Sequence, residues 1–184
     1  RPVENLAGRK TACDLVLVEA GGMLVSTDAR MPNLLVRESI AHRKLVEFSG
    51  YETVTGEVRL AESRIDLMLS GAAGTCYIET KSVTLVEDGV ALFPDAPTTR
   101  GRRHLLSLLH AVELGHRAAV VFVVQRGDAR RFRPNGGADP EFCETLARVA
   151  SRGVEVYAYT CDVTETFIAI SGRVPLELGN PKDG

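Results

Sequence analysis

Residues 118–124 read Ala-Ala-Val-Val-Phe-Val-Val, the longest uninterrupted apolar run in a chain of 184 residues. A strand with one wet face alternates apolar and polar side chains, so a run without alternation predicts a strand covered on both faces. The run is far short of the roughly 18 apolar residues that a membrane span needs. Covering both faces of a strand takes helices on both sides of a sheet. The segment Arg117–Gln125 is therefore expected as a strand of a mixed sheet, buried on both faces, and the length suits one medium domain.

The rest of the chain supplies the elements around it. Residues 11–19 and 23–27 read as two strands joined by a turn at Ala20-Gly21-Gly22, and two strands alone are marginal in water. Pro32-Asn33 opens a helical pattern to about Phe48, with Leu34, Glu38, Ala41 and Leu45 on one stripe. Strand-like segments follow at Thr55–Leu60, Arg64–Leu69 and Cys76–Val83, with Ser70–Thr75 as a hairpin loop. Arg100–Leu114 is expected as a helix with Leu105, Leu108, Leu109 and Val112 on its apolar side and Gly115 at its end. Arg126–Asp139 reads as a polar Gly/Arg loop. Pro140 opens a helix to about Arg152, and Val154–Tyr159 and Phe167–Ile170 read as short strands.

Hydrophobic residues at 45% and charged residues at 25% exclude a disordered chain. Cys13, Cys76, Cys143 and Cys161 have no C-x-x-C spacing, which argues against a zinc or disulfide framework and for a reducing, cytoplasmic setting. The start, Arg1-Pro2, has no apolar stretch behind it, so no signal peptide is expected. The net charge of −2 hides an asymmetry: residues 96–137 hold eight arginines against Glu113 and Asp128. A local basic surface of that kind serves a polyanion or is a solvated face.

The chemistry is concentrated in residues 64–81. Alternation puts Ile65, Leu67 and Leu69 on one face of a strand and Asp66 and Met68 on the other. In the next strand Cys76, Ile78 and Thr80 share one face, and Tyr77, Glu79 and Lys81 the other. With Leu69 opposite Cys76, Asp66 falls opposite Glu79. Two facing carboxylates repel unless a cation compensates them. Lys81 is one candidate and a divalent metal such as Mg²⁺ the other. Glu38, on the apolar stripe of the preceding helix, is a third acid for the group. Such carboxylates can hold a metal that activates water, while the lysine orients it or stabilises developing charge. The Thr80 carbonyl is a further candidate ligand. Equally, Asp66 and Glu79 can be ordinary ion pairs with Arg64 and Lys81.

Three runs carry a resemblance. Gly56-Glu57-Val58 with Ser63-Arg64-Ile65-Asp66, then Cys76-Tyr77-Ile78-Glu79-Thr80-Lys81-Ser82-Val83-Thr84-Leu85, then Phe93-Pro94-Asp95-Ala96-Pro97-Thr98-Thr99-Arg100-Gly101-Arg102-Arg103-His104-Leu105 closely resemble the sugar fermentation stimulation (SfsA) family of bacteria and archaea. The likeness extends over about residues 9–178. It implies an α/β fold: a restriction-endonuclease-like αβββαβ core over 31–178, preceded by a β-hairpin remnant of an OB-like domain in 1–30 and followed by a tail at 179–184.

It also implies a DNA-binding protein with a PD-(D/E)xK nuclease-like site. Lys81, Glu79, Asp66 and Glu38 match the catalytic positions, with Asp66, Glu79 and Thr80 holding Mg²⁺ or Mn²⁺. Thr80 departs from the valine usual in the family, and its side chain is expected to face away from the cluster. Arg100, Arg102, Arg103 and His104 lie at a helix N-terminus, which favours anions. Together with Arg130 and Arg131 they are the expected DNA contacts, with Phe132 available to stack on a base. Metal-dependent DNA hydrolysis and non-cleaving regulation of sugar catabolism genes both fit, and a homodimer is left open. No P-loop, G-x-S-x-G or H-E-x-x-H motif competes.

Overall fold

The computed structural model describes residue 1 and residues 11–179. Residues 2–10 of the amino-terminal segment and 180–184 of the expected tail lie outside the described residues. The elements are β1 (Leu17–Ala20), β2 (Met23–Ser26), α1 (Met31–Ala41), β3 (Thr53–Leu60), β4 (Ser63–Gly71), β5 (Gly74–Val83), β6 (Val86–Glu87), β7 (Val90–Phe93), α2 (Thr99–Glu113), β8 (Arg117–Val124), β9 (Arg131–Pro134), α3 (Pro140–Ser151), β10 (Glu155–Val163) and β11 (Ile168–Arg173), with a 3₁₀ turn at Val46–Phe48. They form a mixed α/β fold. A six-stranded sheet runs β11-β10-β8-β5-β4-β3, beside a three-stranded sheet β6-β7-β9 and the hairpin β1-β2. Among the described residues no helix is long and apolar enough to cross a membrane.

The strand β8 occupies the centre, parallel to both β5 and β10. Its side chains alternate between two separate cores. Ala118, Val120, Phe122 and Val124 pack against α2 and α3. Ala119, Val121 and Val123 pack on the opposite face, with Leu35, Val36 and Ile40 of α1. The unbroken apolar run is thus explained by two covered faces.

Several expected details change. The helix α1 ends at Ala41 and buries Pro32, Leu35, Val36, Ser39 and Ile40. The stripe read as Leu34, Glu38 and Ala41 faces solvent, one step round the helix. The β4–β5 ladder continues to Gly71↔Gly74, so the turn is Ala72-Ala73 rather than Ser70–Thr75. The expected loop 126–139 contains β9, parallel to β7. Phe132 is fully buried there, stacked on Phe122 at 4.3 Å between centroids, and is not free to stack on a base. The grouping of Ile65 with Leu67 and Leu69 also fails. Ile65 joins the α2-side core, and Leu67 and Leu69 the α1-side core. The change of side falls at Asp66.

Asp139 ties the two helices of one face together. Its carboxylate caps α3 through the Phe142 N–H (2.9 Å), accepts the Thr98 N–H (2.7 Å) at the start of α2, and pairs with Arg102 Nη1 at 3.0 Å. Burial pushes its pKa up, but the Thr98 and Phe142 N–H donors and the Arg102 charge outweigh that and hold it below the ordinary 3.8. A carboxylate with a depressed folded-state pKa contributes stability that is complete above its unfolded pKa and is lost as pH falls through the folded value. Asp139→Ala is expected to cost about 2–3 kcal/mol at pH 7. Urea melts across pH should show the gap to the parent protein closing below about pH 4.

Candidate active site

The carboxyl-terminal half of β5 carries the site. Glu79 faces α2, on the same side of the strand as Tyr77 and Val83. It is 3% exposed. Its Oε1 accepts a hydrogen bond from Lys81 Nζ at 2.6 Å and another from His104 Nδ1 of α2. Its Oε2 is buried and has no partner among the described residues. Burial pulls the Glu79 pKa upward, but the His104 hydrogen bond and the Lys81 charge outweigh it and hold the carboxyl below its ordinary value of 4.5. The residue is therefore an ionised acid with one oxygen engaged and one free.

Asp66 approaches from β4. The β4–β5 ladder stops at Leu67↔Ile78, one step short of Asp66 and Glu79. On the other side, β3 pairs Gly56↔Leu67 and Val58↔Ile65 but leaves out Glu57 and Asp66. Glu57 takes a positive φ of 53° there. The ladder gives way to side-chain bonds: the Thr80 N–H and Oγ1 both donate to Asp66 Oδ2, at 2.8 and 2.6 Å. The Thr80 side chain thus faces Asp66, contrary to the expectation that it points away.

A cavity of about 540 Å³ opens over these residues. Asp66, Glu79, Thr80, Lys81 and Ser82 line its floor, with Arg100 from α2 on one side. Arg30, Asn33, Leu34 and Arg37 come from the start of α1. None of these four was read from the sequence as a site residue, although their i, i+3, i+4, i+7 spacing marks one face of a helix. Asn33 Nδ2 lies 3.5 Å from the Asp66 carbonyl oxygen. Glu38 is exposed on α1 and is not among the lining residues. Among the described residues no group of three or more His, Cys, Asp or Glu side chains converges.

The expected DNA contacts divide. Arg100 and Arg103 are exposed at the start of α2. Arg102 is taken up by Asp139 and Glu141, both at 3.0 Å. His104 is 3% exposed and turned to Glu79, so it is no surface phosphate contact in this arrangement. Its signal was present: His104, Leu108 and Ala111 form an i, i+4, i+7 stripe on the buried side of α2. Arg130 is exposed, and Arg131 pairs with Glu177 at 3.1 Å.

A mixed α/β domain with an acid–x–lysine strand over a cleft lined by arginines and carboxylates is the class of protein that fold and site define. Residues 30–167 match the family model described as "Sugar fermentation stimulation protein RE domain". A sugar fermentation stimulation protein homolog of Caldanaerobacter subterraneus subsp. tengcongensis is 47% identical over 176 residues, covering 96% of this chain and 77% of the relative. One from Desulforamulus reducens is 45% identical over 171 residues, covering 93% and 72%. The structure of Pyrococcus furiosus SfsA in complex with Ca²⁺ superimposes with a TM-score of 0.87 at 30% identity, over 96% of this chain and 76% of that one. The chain belongs to the sugar fermentation stimulation protein family.

The Thr80 hydroxyl bond to Asp66 gives a local test. Thr80→Val keeps the shape and the backbone bond but removes the 2.6 Å hydroxyl donor. It is expected to lower stability by about 1–2 kcal/mol in denaturant melts, and Thr80→Ser should recover most of that.

Proposed function

We propose that the chain binds DNA and carries a divalent-cation site of the PD-(D/E)xK nuclease type that acts on phosphodiester bonds. The observation that carries this reading is the unpartnered Oε2 of Glu79. An ionised carboxylate oxygen, buried and without a donor, is costly unless a cation meets it. The order α1, antiparallel β3-β4-β5, α2, β8 supports a restriction-endonuclease-like core over 31–178. The hairpin β1-β2 is taken as the remnant of an OB-like domain in 1–30.

Asp66, Glu79 and the Thr80 carbonyl would hold the cation. Two carboxylates and a carbonyl, completed by water, are a donor set for Mg²⁺ or Mn²⁺, hard cations that accept oxygen ligands. The Ca²⁺ complex named for the Pyrococcus furiosus relative is in keeping with oxygen donors. The cation would polarise a phosphoryl oxygen and lower the pKa of a coordinated water.

The protein's own residues do the rest. Lys81 holds a positive charge at the cavity floor, beside Glu79, where it orients the attacking water and stabilises charge developing on the phosphate. Arg100 and Arg37 line the cavity with exposed guanidinium groups that hold the phosphate backbone. Arg103 and Arg130 extend the basic surface outside it. Glu38 plays no part in this arrangement. Non-cleaving regulation is the second reading, and the observation that favours it is the 2.6 Å bond from Lys81 Nζ to Glu79 Oε1, which engages the amine that hydrolysis would use.

Labelled single- and double-stranded DNA, incubated with Mg²⁺ or Mn²⁺, separates the two. The parent protein is expected to cut, EDTA to stop it, and Glu79→Ala and Lys81→Ala each to slow it roughly 100-fold or more. Binding measured in parallel should weaken steeply with salt in all three proteins. Binding without cutting in all three would move the conclusion to the regulator. Absence of salt-dependent binding would overturn the DNA reading.

A further inference from the structure

We propose that His104 is a positioning residue for Glu79: it holds Oε1 and leaves Oε2 as the oxygen available to a cation, while Arg100 fixes the tautomer of its ring. This rests on the reading of Glu79 as a cation ligand.

The hydrogen bonds settle the direction of each donor. Arg100 Nε–H donates to His104 Nε2 at 3.3 Å. Guanidinium has no lone pair to offer, so Nε2 is the acceptor and the ring proton sits on Nδ1. Nδ1–H then donates to Glu79 Oε1. The ring is 3% exposed, between Gly101 and Leu105 on the buried side of α2, and has no room to turn to solvent.

A core histidine with no further task needs only to be satisfied, and a buried glutamate with no further task needs only to be neutralised. Neither need explains the asymmetry here. Both donors, Lys81 Nζ and His104 Nδ1, fall on Oε1, and none falls on Oε2. Lys81 alone is a poor guide, because its long flexible side chain holds no single geometry. The ring is rigid and comes from a different element, so it fixes the carboxylate from the α2 side. Both of its partners, Glu79 and Arg100, line the same cavity. An imidazole–carboxylate contact that orients a ligand is the kind of outer contact whose loss typically weakens metal binding by about 10–100-fold.

The test is Mn²⁺ binding by the full chain, followed by electron paramagnetic resonance, for the parent protein, His104→Ala, His104→Asn and His104→Gln. Thermal melts check folding alongside. Asn places its amide nitrogen near the Nδ1 position and keeps the bond to Glu79; Gln places it near Nε2 and loses that bond. His104→Ala and His104→Gln are expected to bind Mn²⁺ about 10–100-fold more weakly. His104→Asn should stay within about threefold of the parent. The Asn–Gln comparison holds even if the alanine variant folds poorly, since both keep a buried amide of similar size. Equal binding by the Asn and Gln variants would overturn the positioning role and leave His104 a packing residue. Failure of the parent protein to bind Mn²⁺ is a different result, and would overturn the cation reading of Glu79 itself.

Discussion

Glu79 is where fold and chemistry meet. Its charge sits on a strand flanked by apolar neighbours, in surroundings where an isolated carboxylate costs several kcal/mol or takes up a proton. It stays ionised because two donors are brought to it from different elements. Lys81 reaches it because β5 keeps its alternation through residues 79–81, in register with Val120–Phe122 of β8. His104 reaches it because α2 crosses that face of the sheet. The start of α2 is in turn fixed by Asp139, which holds Thr98, Arg102 and the first turn of α3 at once. A strand, two helices and one capping aspartate therefore converge on a single carboxylate oxygen, and the other oxygen is left free.

Much of this was legible in the chain. The apolar run 118–124 gave a strand buried on both faces because covering both faces removes the alternation. Gly21-Gly22 gave the hairpin because both residues adopt positive φ, 62° and 76°, as a tight two-residue turn requires. The stop at Gly115 and the opening at Pro140 gave α2 and α3 nearly to the residue. Other features were hidden for physical reasons. The helix α1 has apolar residues at Leu34 and Leu35 side by side, so two stripes compete and only packing decides between them. The strands β6 and β9 are two and four residues long, too short to show a period. The change of side at Asp66 was illegible because alternation assumes a continuous ladder, and here the ladder is interrupted on both sides, with bonds from Thr80 to the Asp66 carboxylate in its place on the β5 side.

The concentration of arginine in residues 96–137 overstates the basic surface. Arg117 forms a two-pronged pair with Glu155 at 2.6 and 2.7 Å, and Arg126 another with Asp128 at 2.6 Å. Arg102 and Arg131 are also paired. Half of the eight arginines thus neutralise acids of this same chain, and four of those acids, Asp139, Glu141, Glu155 and Glu177, lie outside the stretch. Counting charge along a segment misses partners that the fold brings from elsewhere. Arg100 and Arg103 remain in the open at the start of α2. Arg37, which the count never included, stands across the cavity on α1.

The hairpin β1-β2 is too small to hold itself and leans on the site instead. Its last residue, Ser26, donates its backbone N–H to the Gln125 carbonyl and its hydroxyl to Gln125 Oε1, both at 3.0 Å. Gln125 is fully buried, and its Nε2 donates to Ser82 at 2.7 Å. Ser82 lines the cavity beside Lys81. One buried amide thus joins the hairpin to the strand that carries the acid–x–lysine pair. Lifting the hairpin would strand the Gln125 oxygen without a donor, at about 1–3 kcal/mol. Two residues further along, Asp28 holds Arg30 at 2.8 Å and accepts the first amide of α1 through its carbonyl. The start of α1, with Arg30 and Asn33 toward the cavity, is therefore placed from the hairpin side. A displacement of the segment before α1 would reach β5 through Gln125 and the cavity wall through Asp28.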